Sequence, residues 1–211
     1  MSTQAPTRLA LIGMSGIGKS HWSKQLEQRG WVRYDCDAII ADRLGELIQI
    51  RQGEDAVTAV GRWMGLPWTE GYEQREAQYL DLERRVTAQA LDALAALPAD
   101  QPAVLDTTGS VIYCGHAVIG RMRERCRVVY LRATPSLRAH MLERYGKEPK
   151  PVLWQGAFEP NEYESPDRAL LRCYGDLLDA RARLYGAMED VTIPADRLSG
   201  GVSLDAFLEM V

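Results

Sequence analysis

The sequence has no apolar run approaching the ~18 residues of a membrane-spanning helix, and its N-terminus carries no apolar signal-peptide core. It has no CxxC pair either, since Cys36, Cys114, Cys126 and Cys173 are scattered. That argues against a zinc or disulfide framework and for reduced, packed thiols. Positive charge is not in excess: 25 Lys and Arg face 29 Asp and Glu, for a net charge of −4 and a pI of about 5.5. A protein whose main task is coating nucleic acid shows a basic face instead. Internal repeats, low-complexity tracts and long Pro/Gly/Ser linkers are also missing. These absences lead to the expectation of a cytoplasmic protein, monomeric or homodimeric, with neither membrane nor nucleic acid as partner.

What is present is enough chain for one domain spanning 1–211, with an interior able to bury a core. Short apolar runs alternate with helical stretches, the pattern of an α/β fold with a parallel sheet. Strands are expected at Leu9–Ile12, Trp31–Tyr34, Ala103–Leu105, Val128–Leu131 and Val191–Ile193. Helices are expected near Lys19–Gln28, Gln74–Leu97, Ala117–Glu124, Ser136–Tyr145 and Asp167–Met188. In the second of these, Tyr79, Leu82, Val86, Ala90, Ala93 and Leu97 mark one buried face. Two stretches break the alternation, 45–72 with Trp63, Pro67 and Trp68, and 146–166 with four prolines and Trp154. Segments of this length in a compact domain read as binding segments or lids, or else as solvent-exposed insertions.

Gly13-Met-Ser-Gly-Ile-Gly18-Lys19-Ser20 matches G-x-x-x-x-G-K-[ST] at every fixed position, with an apolar strand before it and a helical stretch after. Glycines allow a tight turn whose backbone N–H groups, including those of Ser15 and Gly16, converge on phosphate oxygens. The helix that follows adds the positive end of its dipole. Lys19 is expected on the β- and γ-phosphates of ATP, and the Ser20 hydroxyl on Mg²⁺. His21 stands where it either touches the α-phosphate or lies half-exposed along the helix.

Asp106 closes the run Ala103-Val104-Leu105, the arrangement that sets a carboxylate beside the loop's Mg²⁺. Thr107, Thr108 and Gly109 extend it into a turn able to approach a ligand closely. Asp35 and Asp37 flank Cys36 at the end of the second strand, where open α/β sheets bind ligands. A two-residue period points both to one side. In the functional reading Asp37 orients or deprotonates an acceptor hydroxyl and Asp35 assists the metal's water shell. In the plain reading an aspartate caps the helix that Ala38-Ile39-Ile40 would begin.

Phosphoryl transfer calls for cations around developing charge. Arg144, Lys147 and Lys150 supply three beside the 146–166 segment, with Lys150 and Arg144 the better lid candidates. On the last long helix Leu170, Tyr174, Leu177, Leu178, Leu184 and Tyr185 form an apolar stripe that also carries Arg181. An inward arginine needs an anion, either from a ligand or from an internal ion pair, unless its stem snorkels.

Taken in order, these motifs resemble the shikimate kinase family within the nucleoside-monophosphate-kinase-like P-loop proteins. The likeness runs through Leu11–Ser20, Tyr34-Asp-Cys-Asp37, Val104–Ser110, Val128–Leu131, Lys150-Pro-Val-Leu153 and Arg181-Ala-Arg-Leu-Tyr185. It implies a five-stranded parallel sheet in the order 2-3-1-4-5, a lid at 146–166 and an acceptor-binding segment at 45–72. It also implies that Asp37 binds the acceptor and serves as base, that Arg181, Thr108 and Gly109 bind the acceptor, that Lys150 contacts phosphate, and that Arg197 lies near adenine.

The departures are specific. Asp106 occupies a position where the family has a small hydroxyl residue, and the family's glycine triplet is Thr108-Gly109-Ser110. The Phe-Arg-x-x-Glu element appears as Tyr79-Leu80-Asp81-Leu82-Glu83, with leucine in place of the arginine that grips the shikimate carboxylate; Arg75 lies more than a turn away. An ATP- and Mg²⁺-dependent kinase acting on a hydroxyl of a small metabolite is therefore expected, with shikimate itself not favoured. The alternatives are a nucleoside or nucleotide kinase and a nucleotide-binding regulatory protein with little transfer activity.

Overall fold

Parallel strands covered on both faces should be apolar throughout instead of alternating, and the central strands here are. β1 (Arg8–Ile12) leads through the glycine-rich loop into α1 (Lys19–Gln28), and β2 (Val32–Asp35) passes directly into α2 (Cys36–Leu44). After these come α3 (Ala56–Met64), α4 (Tyr72–Ala96), β3 (Ala103–Asp106), α5 (His116–Arg125), β4 (Arg127–Arg132), α6 (Pro135–Lys147), α7 (Pro166–Gly186), β5 (Val191–Pro194) and α8 (Leu204–Leu208). The computed structural model describes residues 7–147 and 152–211.

All strand pairs are parallel and the sheet order is β2-β3-β1-β4-β5, as the sequence resemblance implies. β1 lies between β3 and β4, so the connections leave it in opposite directions and the crevice at its C-terminal end is the natural ligand site. β3, β1 after Arg8 and the inner residues of β4 are buried. All four cysteines are free and buried. Among the described residues no helix is long and apolar enough to cross a membrane.

All five strands and five helices expected from the sequence are present, with small shifts at their ends. Three further helices are present: α2, which the capping reading of the Asp35–Asp37 pair offered, and α3 and α8, which were not expected. α2 starts because the Asp35 side chain accepts the Ala38 N–H at 3.0 Å, and α3 because Asp55 does the same for Thr58 at 2.9 Å. Short α8 stacks Phe207 on Trp22 with ring centroids 4.4 Å apart. The α4 face runs through Leu91 and Leu94, leaving Ala93 exposed, and Leu184 on α7 is exposed instead of joining its apolar stripe. Residues 146–166 do not form a single free segment. Gly146 and Lys147 finish α6, whereas Leu153 and Trp154 are buried in the core.

Candidate active site

The loop between β1 and α1 turns on three glycines with positive φ: Gly13 (140°), Gly16 (76°) and Gly18 (110°). Gly13 also needs its missing side chain, because a Cβ there would sit 2.6 Å from the Leu131 carbonyl oxygen. Lys19 is buried, and its ammonium donates to the carbonyls of Gly13 (2.9 Å) and Met14 (3.0 Å). Burial lowers its pKa, while the negative charges of Asp37 and Asp106 pull the other way. The ammonium thus folds back onto the carbonyls of its own loop. Ser15, Gly16 and Ser20 are exposed on the loop. His21 is exposed as well and lies 3.1 Å from the Gln25 amide along the helix surface.

Asp106 ends β3 with 2% exposure. Its Oδ2 accepts from Ser23 Oγ at 2.7 Å and from Arg33 Nη2 at 2.8 Å. Its Oδ1 is buried with no partner among the described residues. Arg33, on β2, also donates to Asp35 Oδ2 (2.5 Å) and through Nε to Ser23 Oγ (2.7 Å). The β2–β3 register sets Asp35 opposite Asp106, so one guanidinium bridges two carboxylates.

Asp35 is engaged within the fold: one of its oxygens caps α2 and the other pairs with Arg33. The two-residue period fails here because the strand ends at Asp35, and Asp37 belongs to the first helical turn. Asp37 is half-buried and lines a cavity beside Ser15. Burial, helped by the nearby charges of Asp106 and Asp35 and opposed by Lys19, raises its pKa from 3.8 to about 6.

The turn after β3 is anchored from below. Thr107 Oγ1 donates to the Leu11 carbonyl at 2.7 Å. Thr108 Oγ1 donates to Glu83 Oε1, and Ser110 Oγ donates to the same oxygen at 2.8 Å. Glu83 is fully buried on α4; desolvation raises its pKa to about 7 against the pull of these two hydroxyls. Thr108 therefore turns inward to Glu83 and does not line the cavity, whereas Gly109 and Ser110 do. A Cβ on Gly109 would come within 3.0 Å of the Ser15 backbone nitrogen, which shows how closely the turn abuts the phosphate loop.

Arg181 is 4% exposed on α7 and lines the same cavity. Its Nη1 donates to the Gly109 carbonyl (3.2 Å) and its Nη2 to that of Leu153 (2.7 Å), and its guanidinium lies 5.4 Å from the centroid of the Tyr113 ring. Among the described residues it has no ion-pair partner, and its Nε has no hydrogen-bond acceptor. A buried cation without an anion is costly, so this guanidinium is suited to an anionic or strongly accepting ligand group.

The cavity is small, about 60 Å³, with Asp37, Arg181, Ser110 and Tyr79 as polar groups and Val57, Val60 and Met64 of α3 as an apolar wall. The 45–72 segment thus contributes a helix to the site. A second cavity of about 220 Å³ shares Ser15, Val57 and Val152 with the first and extends along α6 past His140 and Arg144. Arg144 is exposed at that cavity's edge. Arg75 does not replace the missing cation, because it donates to the Met64 carbonyl (3.0 Å) and the Glu70 carbonyl (2.8 Å) outside the cavity. Leu80 is buried. Arg197 is exposed in the turn after β5, away from both cavities. Lys150 lies outside the described residues. Arg33 and Glu76 were not picked out from sequence; Glu83 was quoted only within the family element.

No protein-family model and no curated protein matches the sequence. The backbone is similar to solved shikimate kinases. That of Bacteroides thetaiotaomicron superposes with a TM-score of 0.61 at 19% identity, over 97% of this chain and 96% of that one. The Acinetobacter baumannii enzyme, solved with shikimate, gives 0.58 at 20% identity over 96% and 88%. The Aquifex aeolicus enzyme gives 0.53 at 15% identity over 96% and 91%. Sheet order, loop and coverage together show that the chain has the shikimate-kinase-like P-loop kinase fold.

Proposed function

We propose that this protein is an ATP-dependent kinase that transfers the γ-phosphoryl group to a hydroxyl of a small metabolite bound between Asp37 and Arg181. The observation that carries this reading is the position of Asp37: a half-buried carboxylate of raised pKa, on a cavity wall that includes Ser15 of the phosphate loop. A protein that only bound nucleotide would have no need of it.

The residues fit the groups such a reaction requires. The loop from Gly13 to Ser20 would hold the phosphates and Lys19 would exchange its two carbonyls for phosphate oxygens, with Arg144 adding positive charge from the side of α6 and Lys150, outside the described residues, a further candidate by sequence. Ser20 would hold Mg²⁺, and Oδ1 of Asp106, without a partner among the described residues, would offer a buried oxygen to its shell. When bound, the ion neutralises phosphate charge and orients the transfer. Asp37 takes the proton of the acceptor hydroxyl as that oxygen bonds to phosphorus and the bond to the ADP oxygen breaks. Arg181 and the Gly109–Ser110 turn hold the acceptor in line. With leucine at position 80 and Arg75 engaged elsewhere, Arg181 is the cation that the described cavity lining offers an acceptor carboxylate, which argues against tight binding of shikimate.

The test is ADP release from Mg-ATP across hydroxy-acid, polyol, sugar and nucleoside acceptors. An acceptor that raises turnover is expected, and Asp37→Asn should reduce that turnover by roughly 10²–10⁴-fold, the span of a lost general base, with ATP affinity little changed. Acceptor-dependent turnover left intact in Asp37→Asn would remove the base assignment. Tight ATP binding with no responding acceptor would favour a regulatory nucleotide-binding protein.

A further inference from the structure

Glu76, on α4, is a buried carboxylate that the proposed reaction does not use. It has no cationic partner among the described residues; instead its Oε1 accepts from backbone N–H groups and a phenol. The N–H of Trp154 and the N–H of Gln155 (3.0 Å) both point at this oxygen, and the Tyr72 hydroxyl donates to it at 2.7 Å. Two consecutive backbone N–H groups converge on one anion where the chain curls, as in the concavities that successive N–H groups form in αR–αL or turn conformations. Gln155 has φ +50°, the only non-glycine residue with positive φ among the described residues. Such a conformation costs on the order of 1 kcal/mol or more and persists only where its surroundings fix it.

What the curl holds is the floor of the cavity. Val152 and Leu153 line it, and Trp154 is wedged among Tyr145, Tyr174 and Phe158. Tyr72 adds a second tie through the Val152 carbonyl region, since its hydroxyl also lies 2.9 Å from that oxygen. The Leu153 carbonyl in turn accepts from Arg181 Nη2 at 2.7 Å, and Arg181 reaches on to the Gly109 carbonyl. A continuous set of contacts therefore runs from Glu76 to the buried guanidinium and the turn beside the phosphate loop.

We propose that Glu76 is a positioning residue for acceptor binding: it fixes Val152–Gln155 and, through the Leu153 carbonyl, sets the direction of the Arg181 guanidinium. The acceptor part of this statement rests on the kinase reading above; the positioning part does not. A purely structural Glu76 would loosen its own surroundings and leave the cavity's polar end unchanged.

Hydrogen–deuterium exchange on the full chain separates the two, using Glu76→Ala, Glu76→Gln and Tyr72→Phe. In Glu76→Ala the Trp154 and Gln155 amides should exchange roughly tenfold faster or more, the effect of losing hydrogen bonds to a charged group. Faster exchange should extend to the Thr107–Ser110 turn while α1 keeps its protection. Glu76→Gln, which retains an accepting oxygen, and Tyr72→Phe should give smaller changes of the same pattern, and either serves if the alanine variant does not fold. With each acceptor found by the ADP-release screen, the KM for acceptor should rise about tenfold, as for a lost 1.4 kcal/mol, with the KM for ATP within a factor of about two. Exchange confined to residues 152–155, or equal rises in both KM values, would overturn the proposal. If no acceptor is found, the exchange result still decides the positioning role, and the missing acceptor counts against the kinase reading alone.

Discussion

Replacing Asp37 with asparagine should make the protein more stable at neutral pH while impairing transfer. The carboxyl's pKa rises from 3.8 to about 6 on folding, chiefly because burial disfavours its charged form. The folded state thus prefers the protonated acid. Below pH 4 the group is protonated whether the chain is folded or not, and it costs nothing. As pH rises from about 4 to 6 the unfolded chain releases the proton first and stability is lost; above pH 6 the loss is complete. A rise of about two units, at about 1.4 kcal/mol each, sets a ceiling near 3 kcal/mol. Two features reduce it: the side chain is only half-buried, and the mutation also deprives Lys19 of a favourable charge. About 2 kcal/mol is then expected, or roughly 4–8 °C in Tm for a domain of this size.

The assay is thermal unfolding of both proteins without nucleotide, from pH 4.5 to 8. The Asp37→Asn variant and the parent should lie closest at the acid end, separate as pH rises to about 6 and level off at that separation above it, with the variant higher. A constant gap would point to packing instead of charge. A variant less stable than the parent at pH 8 would refute the reasoning outright, because it would mean that Asp37 is stabilised as an anion in the folded state, by Lys19 or by another group.

Two further substitutions test the scaffold around that carboxylate. Gly13→Ala should lower stability by about 2 kcal/mol or more in urea unfolding, since a left-handed φ and a 2.6 Å approach to the Leu131 backbone both oppose a Cβ. Arg33→Met should cost about 3–5 kcal/mol by leaving Asp106 and Asp35 without their shared cation. Adding Asp106→Asn to it should recover a large part of that loss, and simple additivity of the two would mean that the pair is not coupled.

Much of the frame was legible because its signals are local. The glycine loop, the strand before it and the start of α1 at Lys19 follow from spacing alone, as does the inward face of α7 that carries Arg181. α3 was not recognised, although Asp55 and Thr58 spell its cap, because the surrounding Trp, Gly and Pro residues read as loop. The pairing of Asp35 with Asp37 was misjudged by extending a strand period past the strand's last residue. Glu76 gave little signal: apart from Tyr72 one turn before it, its partners are backbone N–H groups 78 and 79 residues away, and backbone donors are not encoded by residue type. Arg33 is the more instructive omission. A single arginine in an edge strand looks like a solvated residue, and its partner lies 73 residues away. Yet the sequence contained half of the answer in Asp106, an acid where the resembled family has a small hydroxyl residue. A carboxylate buried at that position requires a cation, and the sheet order places β2 next to β3 with Asp35 opposite Asp106. A residue two positions before Asp35 lies on the same face of β2, and Arg33 at that position reaches both acids. The departure at 106 and the unremarked arginine at 33 are thus one feature of this chain, a carboxylate pair bridged by one guanidinium, and Asp37 is left as the acid that lines the cavity beside Ser15.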